Sequence, residues 1–303
     1  MKIEDLFPVV HGSIVLGFTT SSIDIPTVQR VSLSDKSLGV HKVTSATTHK
    51  IVKLSTPSGE MEAWEAIFPE GSINPGNKQS PPGGFGFYLP GPAEFHQALQ
   101  DDIYQEVIMS YQVLFQDDWK WQKGGKLPGI YGGTGDSSYG CTGGRQTDRC
   151  KCFNLRLMWR ENGIGELYAY LPMTDSNTEE LCKVPPKSIQ HPDYGFSVGR
   201  GAFQFPAGQW ITVSQRVKIN DPEKLDGEIE VFIDGKSVLL ASGLSFRDSV
   251  HSKSHVQGLH FQTFFGGHSA DWASPQTQKA WFTNISGAIL KPSRSISSQR
   301  DEL

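Results

Sequence analysis

A segment near the middle of the chain carries side chains that could bind an anion and move protons. Its three parts read Asn154-Leu-Arg-Leu-Met-Trp159, Glu161-Asn-Gly163 and Leu167-Tyr-Ala-Tyr170. The alternation of apolar and polar residues predicts a β-hairpin, because successive side chains of a strand point to opposite faces. Asn154 and Arg156 then share one face, as do Tyr168 and Tyr170, and the leucines belong to the core. Since a guanidinium binds carboxylates through two parallel hydrogen bonds, the hairpin predicts a face for an anionic ligand.

The length of the hairpin loop decides whether Arg156 and the tyrosines share that face. A two-residue turn at Asn162-Gly163 would set Arg156 opposite Ala169 and would put the tyrosines on the other side. A loop of three or five residues sets Arg156 opposite Tyr170 and buries the leucines of both strands together. We therefore predict the odd-length loop.

Composition and patterning predict the fold class. The 303 residues include 32 Gly and 18 Pro, and short alternating runs are common whereas long helical periodicities are scarce. This favours an all-β jelly-roll sandwich of two antiparallel sheets with long Gly/Pro-rich loops. We expect residues 1–40 to form an arm with one edge strand of the same domain, residues 41–292 the jelly roll, and residues 293–303 a polar tail.

Further elements are expected along the chain. Val107 to Phe115 reads as a strong strand, and a short helix is predicted within residues 93–103. The stretches 71–92 and 123–152 are so rich in glycine or proline that both are predicted to be long loops.

The charge is unevenly distributed. Residues 119–160 hold eight Lys and Arg against two Asp, a net of +6, whereas the whole chain has a net charge of −4. A basic island on an acidic protein indicates an acidic ligand and argues against a nucleic-acid partner. No apolar run approaches a membrane span, so no membrane partner is expected, and we predict a monomer. Aromatic residues in or beside the island could stack on sugar rings: Trp119, Trp121, Tyr131 and Tyr139.

The four cysteines and the termini bear on the compartment. Cys141, Cys150, Cys152 and Cys182 lie in one segment, and the tight spacing of the middle two favours two disulfides over a zinc site. Disulfides and the sequon at Asn284 fit a secreted protein whose leader is absent from this chain. The C-terminal Arg-Asp-Glu-Leu303 also allows retention in the secretory lumen.

Several motifs, taken together, resemble polysaccharide lyase family 14, whose members are alginate and glucuronate-polymer lyases with a jelly-roll fold. The likeness covers roughly residues 105–290. The motifs that carry it are Lys123-Gly-Gly-Lys-Leu-Pro-Gly-Ile-Tyr-Gly-Gly133, Asn154-Leu-Arg-Leu-Met-Trp-Arg160, Tyr168-Ala-Tyr170 and Phe264-Phe-Gly-Gly-His-Ser-Ala-Asp-Trp-Ala-Ser-Pro275.

The resemblance implies which residues would be functional. The family's lysine in the Gly-Gly-Lys-Leu-Pro-Gly run corresponds to Lys126, its strand arginine to Arg156, and its two tyrosines to Tyr168 and Tyr170. The chain departs from the family pattern at Asn154, which stands where the family has serine. An amide can still donate to a carboxylate but is longer, so the resemblance leaves the particular uronate open.

The implied reaction is β-elimination on a 1,4-linked polyuronate such as glucuronan or alginate. Arg156 would neutralise the carboxylate next to the C5 proton, and Asn154 and Gln112 would add hydrogen bonds to it. Tyr168 and Tyr170 would act as base and acid if nearby cations lower their pKa, and Lys126 would assist. Trp121 and Tyr131 are expected to contact sugar. Because the cations neutralise the carboxylate, no metal and no cofactor are expected.

Two other functions compete with a lyase. A non-catalytic carbohydrate-binding module would need the groove and the aromatic residues but not the Lys/Arg/Tyr cluster. A glycoside hydrolase would need two carboxylates at strand spacing, which Glu228 and Glu230 offer. Three histidines, His49, His260 and His268, could also act as a base, although each is expected more often to be structural.

Overall fold

The two-sheet sandwich is confirmed by a computed structural model, which describes residues 2–56, 59–145 and 147–291. The expected polar tail, including the Arg-Asp-Glu-Leu terminus, lies outside the described residues. No helix in the described part of the chain is long and apolar enough to cross a membrane.

Sixteen β-strands lie within the described residues. In chain order, β1 to β16 are Ile14–Thr19, Val28–Arg30, Lys50–Thr56, Gly59–Phe68, Phe85–Leu89, Glu106–Phe115, Gly124–Gly133, Cys152–Arg160, Gly165–Tyr170, Ile189–Gln190, Phe196–Val198, Trp210–Lys218, Gly227–Ile233, Lys236–Leu244, His255–Phe265 and Gln278–Leu290. The α-helices α1 to α4 are Ile3–Leu6, Asp35–Leu38, Ala93–Ala98 and Asp175–Lys183. Short 3-10 turns occupy His11–Ser13, Gly135–Tyr139, Arg149–Lys151, Glu161–Gly163 and Ala270–Trp272.

The strands form two sheets. The first runs β14-β13-β12-β6-β16-β1-β2, with β4 also pairing with β16 and β3 with β4. The second, which carries the candidate site, runs β10-β11-β9-β8-β7-β15-β5. All of these pairs are antiparallel except β1 with β2.

The core lies between the two sheets and is built by period-2 alternation. On β6, Tyr111, Val113 and Phe115 face inward, and on β8 Leu155 and Leu157 meet them. All five are at most 2 % exposed. Burying one face of β8 in this way leaves its Asn154, Arg156 and Met158 on the opposite face, as the hairpin pattern predicted.

Two predicted loops contain strands. The stretch 71–92 includes β5, and the stretch 123–152 includes β7, which is central in its sheet. The glycines of β7 allow close packing instead of a turn. A Cβ on Gly125 would lie 2.1 Å from the Trp159 ring, and one on Gly129 would lie 2.0 Å from the Leu155 carbonyl oxygen. Glycine within a strand marks such close approaches as well as loops.

The hairpin has the predicted odd-length loop but a register shifted by two residues. Trp159 pairs with Gly165, and Arg156 lies opposite Tyr168, not opposite Tyr170, which pairs with Asn154. The difference arises because the turn is centred on Asn162, which adopts φ 59°, instead of on the glycine that follows it. A two-residue shift preserves the face of every side chain, so Arg156 and both tyrosines still face the same way.

The cysteine prediction was half right. Cys141 and Cys152 form a disulfide, whereas Cys150 and Cys182 are free and exposed. The sequon asparagine, Asn284, is only 9 % exposed and donates to the side chain of Gln112 at 2.6 Å.

The carboxylates that a hydrolase would require are engaged elsewhere. Glu228 and Glu230 lie on β13 in the first sheet and accept hydrogen bonds from Arg216 at 2.6 and 3.0 Å. Glu106 accepts from the same guanidinium at 2.6 Å. This ion-pair network joins neighbouring strands of the first sheet and holds these three carboxylates away from the second sheet, which carries the candidate site.

Candidate active site

A cavity of about 1050 Å³ lies on the face of the second sheet that points away from the core. Lys126, Arg156, Tyr168 and Tyr170 line it, together with loop residues from both ends of the sheet. Its other lining residues include Asn74, Asn77, Thr142, Met158, Arg160, His191, Tyr194, Ser197, Arg200, Gln262, Phe264, His268 and Trp272. The structure therefore brings together the four residues that the sequence marked as catalytic.

Strand register explains why these residues meet. Lys126 on β7 lies opposite Met158 on β8, and Arg156 lies opposite Tyr168 on β9. The neighbour of Arg156 on β7 is Gly129, which has no side chain to occupy the space between the strands. Antiparallel pairing thus presents a lysine, an arginine and two tyrosines as cross-strand neighbours on one surface.

Arg156 is buried and held from two sides. Its Nη1 donates to Gln262 Oε1 at 2.5 Å, and its Nη2 donates to Thr142 Oγ1 at 3.1 Å. Its Nε is buried without a hydrogen-bond partner among the described residues. Neither partner carries a charge, so the guanidinium keeps its full positive charge in the cavity wall. Such an arrangement favours an anionic ligand, because a buried unpaired charge is costly.

Asn154 is oriented by one of the three histidines. His260 Nδ1 and Asn154 Nδ2 lie 2.9 Å apart, and the His260 ring stacks on Tyr88 at 4.3 Å. Burial, together with the charges of Arg156 and Lys126, holds the pKa of His260 well below its usual value. The neutral ring can therefore accept the amide hydrogen bond and hold Asn154 in place.

Lys126 occupies an unusual environment for an amine. It is 9 % exposed, its Nζ donates to the Met158 sulfur at 2.9 Å, and it lies 3.2 Å from the centre of the Tyr168 ring. Burial is the main cause that holds the pKa of Lys126 well below its usual value, and the charges of Arg156 and Arg160 add to it. A neutral amine is therefore accessible at a much lower pH than in a free lysine.

The tyrosines behave differently from the prediction. Burial raises the pKa of Tyr168 and of Tyr170, although Arg156 acts in the opposite direction on Tyr170. The cations do not lower the pKa of either phenol below its usual value, because removal from water outweighs them. Both hydroxyls are thus protonated near neutral pH and suited to donating a proton.

Three predicted substrate contacts lie elsewhere. Gln112 is on the outer face of the first sheet, where it donates to Thr212 at 2.9 Å. Trp121 packs on the core, with its ring 4.8 Å from that of Phe115. Tyr131 lines a second cavity of about 760 Å³ near the other end of the site sheet. Strand alternation alone could not show which sheet Gln112 belongs to.

The remaining histidines divide between the core and the cavity. His49 Nε2 donates to the Asp35 carboxylate at 2.9 Å, and its ring packs 4.7 Å from the Phe87 ring, which is a structural position. His268 lines the cavity, with its Nε2 3.3 Å from the Tyr194 hydroxyl. No group of three or more His, Cys, Asp or Glu within the described ranges could hold a metal ion.

Sequence reasoning missed several cavity residues. Gln262 and Thr142 fix Arg156, and Arg160 and Arg200 line the same cavity. Arg160 could have been found, because it follows Arg156 at even spacing on the same strand face. Arg200 and Thr142 come from turns that no periodicity places.

Comparisons with known proteins identify the family and the fold. The family model for polysaccharide lyase 14 matches residues 56–285. The marine PL-14 alginate lyase of Aplysia kurodai is similar at 30% identity and a TM-score of 0.70, covering 91% of this chain and 99% of that one. The alginate lyase vAL-1 from Chlorella virus shares the fold at 22% identity and a TM-score of 0.59, covering 84% and 93%.

A third structure and a search of curated proteins complete the comparison. Alginate lyase Aly36B, solved with an alginate trisaccharide, shares the fold at 18% identity and a TM-score of 0.56, covering 75% of this chain and 82% of that one. The search of curated proteins finds no match. On the family match and the 30% identity, this chain belongs to polysaccharide lyase family 14 and is a polysaccharide lyase.

Proposed function

We propose that this protein cleaves a 1,4-linked polyuronate, alginate or glucuronan, by β-elimination in the cavity lined by Lys126, Arg156, Tyr168 and Tyr170. The observation that carries the proposal is the pairing of a buried, uncompensated guanidinium with an amine whose pKa is lowered. The first recruits a carboxylate, and the second can remove a proton beside it. The similarity to an alginate lyase supports alginate as the first polymer to test.

Arg156 is the group that neutralises the uronate carboxylate. The C5 proton is weakly acidic as long as the neighbouring carboxylate is charged. Removing this proton places further negative charge on that carboxylate. A fixed guanidinium stabilises the resulting enolate-like intermediate more than it stabilises the substrate, which lowers the barrier. Asn154 shares the β8 face of Arg156 and is held by His260, but it is 1% exposed and does not line the cavity, so Arg156 is the group that meets the carboxylate.

Proton transfer is divided between Lys126 and the tyrosines. We assign the base to Lys126, because its lowered pKa provides the neutral amine, and the acid to the tyrosine pair, because burial keeps both phenols protonated. The amine takes the C5 proton, the C5–H electrons form the C4=C5 double bond, and the bond from C4 to the bridging oxygen breaks. A phenol protonates the departing O4.

The reaction product provides the direct test. Alginate of both block types, glucuronan and a neutral β-glucan are incubated with the protein, and the ultraviolet absorbance of the C4=C5 bond is followed. We expect absorbance to rise with at least one polyuronate and not with the β-glucan. Reducing ends without absorbance would indicate a hydrolase, and binding without either would indicate a sugar-binding module.

Removing one hydroxyl at a time tests the acid. At least one of Tyr168→Phe and Tyr170→Phe should lower kcat about 100-fold or more, because general acid catalysis contributes on that scale. The variant with the greater loss identifies the donor. Tyr104→Phe, which removes a phenol outside the cavity, should keep the wild-type rate. Near-normal rates in both cavity variants, with the fold intact by circular dichroism, would overturn the assignment.

The disulfide bears on where the protein works. A structural disulfide such as Cys141–Cys152 fits an oxidising compartment, so we propose an extracellular or secretory-pathway protein.

A further inference from the structure

One buried carboxylate holds two more arginines in the wall of the same cavity. Glu166 on β9 is 0% exposed. Its Oε1 accepts from Arg160 Nε at 2.9 Å, and its Oε2 accepts from Arg200 Nε at 2.6 Å and from the Ser197 hydroxyl at 2.7 Å. A second bond from Arg160, through Nη2, completes the carboxylate's contacts. Four donors on one carboxylate fix the orientation of both guanidiniums.

The cluster keeps a net positive charge directed at the cavity. Two guanidiniums face one carboxylate, which leaves a surplus of one charge. These hydrogen bonds engage Nε and Nη2 of each arginine, since Arg200 Nη2 also donates to the Ser197 oxygen at 3.1 Å. No described residue accepts a hydrogen bond from Nη1 of either side chain. Because a guanidinium has five N–H groups, each arginine retains donors for a ligand.

The cluster and Arg156 are held on opposite sides of β8. Arg156 donates to Gln262 on β15 and to Thr142, whereas Arg160 and Arg200 converge on Glu166 on β9 and Ser197 on β11. In the strand order β11-β9-β8-β7-β15, the anchors Gln262 and Glu166 lie on strands that are three spacings apart, about 14 Å, so the two cation positions are held as separate points in the cavity wall. Both arginines nevertheless line one continuous cavity. A polymer bound at Arg156 would therefore bring a different unit of the chain to the cluster.

We propose that Arg160 and Arg200, positioned by Glu166, form a second carboxylate subsite that binds another uronate unit of the same polymer. The inference rests on the proposed polyuronate substrate. This subsite favours substrates that carry a second uronate unit near the one being cleaved. It therefore selects for the length and the charge of the polymer. Pre-orientation by Glu166 reduces the entropy that two long side chains lose on binding.

The kinetic test uses Arg200→Gln, which removes one cation and leaves the Arg160–Glu166 pair in place. On whichever of alginate and glucuronan the wild type cleaves, we expect KM to rise about tenfold with kcat unchanged, as loss of a charge-assisted contact made equally in ground and transition states predicts. Arg30→Gln on β2 in the other sheet is the matched control and should keep both constants. The proposal is overturned if KM is unchanged, if the control raises it equally, or if kcat falls instead.

A binding measurement separates this proposal from the proposed function. Titration calorimetry with an alginate tetrasaccharide at low temperature, in a Lys126→Met background, reports affinity without turnover. Adding Arg200→Gln should weaken binding about tenfold. If the wild type forms no double bond, the proposed reaction fails while this comparison still decides the subsite. If the wild type cleaves but Arg200→Gln binds normally, only the subsite fails.

Glu166→Gln tests the positioning role. Both guanidiniums stay charged, but the amide keeps only one acceptor oxygen and turns an NH2 donor toward the other arginine, so KM should rise while kcat is retained. A purely structural role would lower the thermal unfolding midpoint without changing KM at a temperature where the variant is folded, and that result would contradict positioning by Glu166.

Discussion

Lys126→Met should lower kcat about 1000-fold, because it removes the proposed base while keeping an unbranched side chain, one atom shorter, to pack on Tyr168. In the wild type, kcat/KM should rise with pH as Lys126 loses its proton. The midpoint should lie well below the usual lysine value of 10.5, since burial, Arg156 and Arg160 all lower this pKa while Glu166 alone raises it. The pH–rate profile of both proteins is the measurement.

The matched control is Lys53→Met, at an exposed position on β3 in the other sheet. It should keep both the rate and the pH profile of the wild type. The residual kcat/KM of Lys126→Met should no longer rise with pH over the range in which Lys126 loses its proton in the wild type. If Lys126→Met kept this rise in kcat/KM at the wild-type midpoint, another group would be the base. His260 would be the next candidate, because it is also buried and neutral.

Arg156→Lys should lower kcat/KM about 100- to 1000-fold although the charge is kept. An ammonium cannot bind a carboxylate through two parallel hydrogen bonds, nor reproduce the bonds from the guanidinium to Gln262 and Thr142. The measurement is the initial rate of double-bond formation over a range of polymer concentrations.

A modified substrate distinguishes neutralisation from general damage to the site. Methyl esterification removes the charge that Arg156 is proposed to neutralise, so the deficit of Arg156→Lys relative to the wild type should narrow on an esterified polyuronate. Arg30→Lys is the control for the substitution itself. An equal deficit on charged and esterified polymer would contradict the role given to Arg156.

The sequence could predict most of the face that carries the site. Alternation along β8 and β9 placed Asn154, Arg156 and the tyrosines together, and this depends only on the period of a strand. It could not give the register, because a shift of two residues preserves every face. The register depends on which residue lies at the centre of the turn. Asparagine and glycine both tolerate the left-handed conformation, and here Asn162 lies at the centre with φ 59° instead of Gly163.

Long-range neighbours account for the other errors. The glycines of β7 resembled a loop because composition does not distinguish flexible backbone from backbone packed against Trp159 and Leu155. Gln112 alternates correctly on β6 but belongs to the opposite sheet. The pKa of the tyrosines depended on burial, which neighbouring charges in the sequence do not reveal.

The disulfide has a consequence for catalysis as well as for folding. Cys141 and Cys152 pack against Tyr170, and the segment they close carries Thr142, which holds Arg156, and Gly144, whose N–H donates to the Tyr170 hydroxyl. The cross-link lies beside the groups proposed to react and outside the main core between the sheets. Reduction of this disulfide would therefore leave the two sheets folded but would loosen the positions of Arg156 and Tyr170. The redox state of the medium then becomes a condition for turnover.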